Sequence, residues 1–388
     1  MKKPGILFFF ACGLLGGLVG YGMARYLPDS QFRPVFQTSA GPAEGVAKFG
    51  VALLALWAAL ALHELGHLLT GLAQGFRFLL FVAGLLGVRR HPRTDRVQFY
   101  LNRDLALAGG VAATAPTRRG PHLRRQLAAI CAAGPLASLL VAVGALTGGQ
   151  YLLGTAALAS PTGRVGIFFL IVLGLSSGLL LLATTIPTRT GPFFTDRARF
   201  FRLLGGGPAA ATEQAQLELL AHTQSGQPYA TLDSDQLALL LADEEPLVRC
   251  FAHFMAYYRS LDRAEELAAL THIRAADELA NNQPQLFRDE ISKERAFAEA
   301  FVARDTTAAE QAWHTIKPAL RQTPTAQHYL VQAALALAHQ NIQEARRLAH
   351  EGQQALPATS TKSEDALQAK VLRRLIEILP AETLQTTP

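Results

Sequence analysis

The stretch Ala61-Leu62-His63-Glu64-Leu65-Gly66-His67-Leu68-Leu69-Thr70-Gly71 lies inside an apolar run covering residues 48–75. Such a run is long enough for a helix to cross a bilayer, which takes about 20 residues. On a helix, positions four apart project from one face about one turn from each other, so His63 and His67 can grip one metal ion. Glu64 stands beside them and can take a proton from water, whose pKa falls from about 15.7 to about 7 on a zinc ion. Unpartnered in hydrocarbon, each ionisable side chain costs a few kcal/mol, so three in one such helix point to a polar task. The bland alternatives are polar residues facing an internal lumen, or a proton relay.

Working outward, residues 5–27 follow Lys2 and Lys3 and form a membrane anchor, or a cleaved signal ending near Gly22-Met23-Ala24. Residues 127–147 and 165–186 read as further spans, making about four, while 151–159 is too short to cross. Arginines crowd the loop between the second and third spans, from Arg77 to Arg125, and return at Arg189, Arg197, Arg199 and Arg202. The loops at 28–47 and 148–164 are poor in basic residues. The positive-inside rule therefore places the arginine-rich loop and everything after the fourth span in the cytoplasm, with the protein in the cell's inner or plasma membrane. Inside that loop, residues 78–88 and 97–101 read as two short strands of a membrane-associated β element, and Gly109-Gly110 as a turn.

Composition agrees with a membrane protein. Half of the 388 residues are hydrophobic and only 17% are charged, against about a quarter in ordinary soluble domains. Cys12, Cys131 and Cys250 are far apart, which excludes a disulfide framework and a cysteine-ligated metal. The net charge of +6 comes from arginines beside apolar segments, a placement that fits membrane topology and not a nucleic-acid partner.

The character of the chain changes at Gly205-Gly206-Gly207-Pro208, a hinge signal. The fold class is mainly α: a membrane anchor and external loop at 1–45, a polytopic helical core at 46–204, and a soluble cytosolic helical domain at 205–388. Ala300 recurs as Ala333, Ala312 as Ala345 and Pro324 as Pro357, each 33 apart. That spacing resembles a tetratricopeptide repeat of about 34 residues. Residues 248–280 read as a looser copy, and a non-repetitive bundle is the alternative.

Catalytic zinc normally takes three protein ligands and keeps one position open. Asp196, just beyond the fourth span, is the best-placed third ligand, because the second and fourth spans both run toward the cytoplasm. Otherwise it caps the helix starting at Arg197. Asp95 and Asp104 lie among arginines and are expected to pair there.

Taken in order, these features resemble the site-2 protease family of intramembrane zinc metalloproteases over about residues 46–204. Ala133-Gly134-Pro135-Leu136-Ala137-Ser138 is similar to that family's Gly-Pro motif, and Pro187 followed by Asp196 resembles its Asn-Pro…Asp-Gly segment. Ser138 stands where many members have asparagine, Thr184 or Thr185 stands at the second asparagine, and Arg197 replaces the glycine. The resemblance implies one zinc per chain on His63, His67 and Asp196, with Glu64 catalytic and Gly134, Pro135 and Ser138 binding substrate. The substrate it implies is a membrane protein cut within or near a transmembrane helix. An edge strand from 78–101 is expected to hold the unwound segment, and the helical domain to dock a cytosolic protein. The competing readings are an inactive relative acting as a membrane scaffold through its helical repeats, and a transporter whose histidines line a polar path.

Overall fold

The computed structural model describes residues 33–36, 41–91, 96–104, 107–186, 189–190, 193–281, 285–357 and 362–380. The span expected at 5–27, together with Asp95 and Pro187, lies outside the described residues.

The other three apolar runs form α1 (Pro42–Ala73), α2 (Leu123–Leu153) and α3 (Pro161–Thr185), each long and apolar enough to cross a membrane. Local chemistry sets their ends. α1 has Pro42 in its first turn and stops at Gly75, whose φ of 78° lets the Phe76 N–H return to the Gly71 carbonyl at 3.0 Å. α3 starts where Ser160 Oγ accepts from the Gly163 N–H at 3.0 Å, with Pro161 in the first turn. α2 absorbs the start of the short run at 151–159, and Ala156–Ala159 completes it as a 3₁₀ turn.

The three helices are apolar outside and polar inside. Phe49, Leu53, Leu56, Leu140, Val143 and Leu179 are exposed, whereas His63, Glu64 and His67 are buried between the helices. An apolar exterior of that extent needs lipid and not water around it. Close approach relies on small residues, as is usual where lipid offers no hydrophobic drive. A Cβ on Gly66 would stand 2.6 Å from the Ala133 carbonyl oxygen and 2.8 Å from the Ala137 methyl. At the end of the bundle remote from His67, Glu44 of α1 accepts from Arg164 of α3 at 3.0 and 3.1 Å, and Lys48 lies 2.8 Å from the same carboxylate. All three side chains are buried.

A four-stranded antiparallel sheet follows α1, in the order β3-β2-β1-β4. Its strands are β1 (Arg77–Ala83), β2 (Leu86–Arg90), β3 (Val97–Leu101) and β4 (Val111–Ala115). The run 78–88, expected as one strand, is instead a hairpin. Gly84 adopts a φ of 60° and Ala83 pairs directly with Leu86 across it, a turn that a glycine makes at no steric penalty. Trp57 Nε1 donates to the Ala83 carbonyl at 3.0 Å and ties this hairpin to α1. β4 was not foreseen, since Val-Ala-Ala-Thr-Ala lacks an alternating pattern. Asp104, in the loop between β3 and β4, faces Lys317 at 3.9 Å.

Beyond the sheet and bundle come α4 (Asp196–Leu204), α5 (Pro208–Gln224), α6 (Ser234–Leu241), α7 (Pro246–Asp262), α8 (Glu266–Ala280) and α9 (Gln285–Ala298). α10 (Thr306–Thr315), α11 (Ala326–Ala338), α12 (Ile342–Ala355) and α13 (Ser363–Ile378) follow, with shorter helical turns between them. The pairs α7–α8, α9–α10 and α11–α12 are hairpins that turn on Ala264, Arg304 and Gln340, with φ of 63°, 57° and 61°. Ala300, Ala312, Ala333 and Ala345 are all buried. α5 does not stand apart from the membrane helices. Its Leu217 and Ala221 share a core with Phe76, Leu123, Ile130, Cys131 and Leu203.

Glu44→Ala removes this anion from beside two buried cations. The expected loss is about 3–5 kcal/mol, read as a lower thermal midpoint in detergent micelles.

Candidate metal centre

Because His63 and His67 are one turn apart on α1, their rings share a face and their Nε2 atoms lie 3.3 Å from each other. Asp196 reaches the same point from the first turn of α4, with Oδ2 at 3.2 Å from His63 Nε2 and Oδ1 at 3.5 Å from His67 Nε2. Bonds of about 2.0–2.1 Å to a tetrahedral ion put its donors about 3.3–3.4 Å apart. One donor atom from each of the three side chains lies within 4.8 Å of the others, so among the described residues they form the group able to hold a metal. Thr195, not Asp196, occupies the N-cap of α4, so the capping alternative for Asp196 does not describe this helix.

α2 holds both rings from behind. His67 Nδ1 is 2.7 Å from the Ile130 carbonyl. A carbonyl can only accept, so Nδ1 carries the proton and a neutral ring keeps its lone pair on Nε2. His63 Nδ1 is 2.9 Å from Ser138 Oγ, and Ser138 is 1% exposed. A Cβ on Gly134 would lie 2.2 Å from His67 Nε2, so only glycine leaves room for that ring. Pro135, in the same turn, has no N–H to give the Cys131 carbonyl four residues back. Gly134 and Ser138 thus lie against the imidazoles.

Glu64 is confined from the sheet side. A Cβ on Gly110 would come within 2.6 Å of Glu64 Oε1, and Gly110 has a φ of 99°. The Ala112 backbone N–H donates to the Glu64 carboxylate. Gly110 and β4 therefore belong to the site, together with the Ile130 carbonyl. The turn signal at Gly109-Gly110 marked the first, whereas a backbone carbonyl carries no sequence signal at all. Arg197 points away from the ligands, its Nη1 donating to the Thr185 carbonyl at 3.3 Å at the end of α3.

A membrane helix bundle with two histidines, a neighbouring glutamate and an aspartate delivered from a later helix has the make-up of a membrane metalloprotease. The model of peptidase family M50, the site-2 protease family, matches residues 51–357, and the chain belongs to that family. Proteases of this family are zinc-dependent. No curated protein and no solved structure matches the chain.

Gly134→Ala gains about 1 kcal/mol of helix propensity, so the chain is expected to stay folded while losing metal through displacement of His67. Elemental analysis of zinc per folded chain reads this directly. Ser138→Ala frees the His63 ring and is expected to weaken zinc binding about 10–100-fold, measured by competition with a chelator.

Proposed function

We propose that this protein is an intramembrane zinc metalloendopeptidase that hydrolyses peptide bonds within or near transmembrane helices of membrane protein substrates. The observation that carries this reading is the convergence of one donor atom each from His63, His67 and Asp196 within 4.8 Å of one another, with Glu64 buried next to them. His63, His67 and Asp196 would hold one zinc ion, which supplies a Lewis acid and lowers the pKa of water to about 7. Glu64 accepts the proton of the attacking water and delivers it to the amine nitrogen as the peptide C–N bond breaks. Gly110 and the Ala112 N–H keep its carboxylate in place for both transfers. Gly134 and Ser138 hold the imidazoles, and we keep Gly134, Pro135 and Ser138 as the substrate-binding set.

A helix hides its carbonyls in hydrogen bonds, so a substrate must unwind before it is cut. Among the described residues β4 pairs only with β1, and its first residues adjoin Glu64. We assign the receiving edge to β4, by strand addition, and not to the 78–101 region. β3, the other edge of the sheet, is two strands further from β4.

The metal site sits toward the ends of α1 and α3 that lead into the arginine-rich loop and α4. The positive-inside rule makes that side cytoplasmic in the cell's inner or plasma membrane. The three helix hairpins with left-handed turns support a tetratricopeptide-like surface for a cytosolic protein partner.

Glu64→Gln is expected to abolish cleavage of a membrane-helix substrate in micelles while leaving about one zinc per chain. His67→Ala and Asp196→Ala are expected to lose both. Cleavage that survives in Glu64→Gln would sink the assignment of the proton carrier.

A further inference from the structure

Asp196 is the one metal-facing residue outside the three membrane helices, so its position depends on how α4 is held. Its N-terminal end is tied to the end of α3. Thr195 Oγ1 donates to the Ile186 carbonyl at 3.0 Å, alongside the Arg197 contact to Thr185. At the other end Arg124 of α2 donates to the Leu203 carbonyl at 3.0 and 2.6 Å, and also to Gly205. Arg199 and Arg202 then leave α4 for a single carboxylate, Glu213 of α5, at 3.3 and 2.8 Å. Glu213 is 4% exposed. Leu217 and Ala221 of the same helix pack with Ile130 and Cys131, the turn of α2 whose carbonyl holds His67. α5 thus touches both the arm that carries Asp196 and the turn that braces His67.

We propose that Glu213 is a positioning residue for Asp196, and that through it the C-terminal helices set the affinity of the site for its metal. This deepens the proposed function and rests on His63, His67 and Asp196 being the ligands. Asp196, Arg199 and Arg202 are three apart on the nine-residue α4 and so share one side of the helix. Arg124 and the buried Leu203 fix where the far end of α4 sits, whereas the ion pairs to Glu213 fix its rotation about its own axis and with it the direction of the Asp196 carboxylate. Without them α4 can turn on its axis, and the carboxylate turns away from the imidazoles. A partner that shifts α5 on α2 acts through the same pairs.

The test uses the full chain in detergent micelles, with zinc affinity from chelator competition and thermal unfolding measured side by side. Glu213→Gln is expected to weaken zinc binding about 10–100-fold. Glu213→Asp keeps the charge and recovers most of that loss, and Arg202→Gln reproduces it from the other side of the pair. The control is Glu299→Gln, which neutralises a buried carboxylate that meets the half-exposed Arg274 at 2.6 Å between other C-terminal helices. It is expected to lower the thermal midpoint and leave zinc affinity unchanged. Wild-type affinity in both Glu213→Gln and Arg202→Gln overturns the proposal, as does an equal loss in Glu299→Gln, because affinity would then follow overall stability. Wild type without zinc, or His67→Ala that keeps it, overturns the ligand assignment and this proposal with it.

Discussion

Two imidazole rings on a lipid-surrounded helix must turn their Nε2 lone pairs to one point, and α2 is the element that makes them do so. The Ile130 carbonyl and Ser138 Oγ engage the two Nδ1 atoms at 2.7 and 2.9 Å, which fixes ring orientation and leaves the opposite nitrogens facing Asp196. Without those contacts each ring would be a polar group in a low-dielectric bundle with several rotamers and no preferred partner. Much of the surrounding architecture follows from keeping α1 and α2 close enough for them. Gly66 fits against Ala133 and Ala137, Gly134 makes room for His67, and the Glu44–Arg164 pair holds α1 against α3 at the far end.

The same constraint shapes the Gly-Pro segment. A serine at 138 is short enough to sit fully buried under His63, where its hydroxyl meets a ring nitrogen. On the opposite side of the site the β4 edge of the sheet begins beside Glu64. Gly110 links the two roles: its positive φ starts β4, and its missing side chain leaves space for the glutamate.

The third ligand is held by a different logic. Asp196 follows α3 by a short segment and rides on α4, whose far end is held by Arg124 and by Glu213 from beyond the glycine hinge. The family match continues through this region to residue 357. The buried core shared by α2, α4 and α5 joins the membrane bundle to the first of those helices.

The metal motif, the membrane runs and the aspartate were legible in the sequence because each is a local pattern. Helical period places His63 beside His67, continuous apolar runs exceed the thickness of hydrocarbon, and a lone acidic residue follows the last span. The hairpin inside 78–88, strand β4 and the roles of Ile130, Ser138 and Gly110 were not legible. Each depends on contacts between residues far apart in the chain, and a backbone carbonyl or a missing Cβ leaves no mark on residue type. By itself the sequence determined which side chains bear the chemistry. Only the tertiary structure decided what holds them, because orientation inside a bundle is set by the neighbours a ring packs against and not by its own helix.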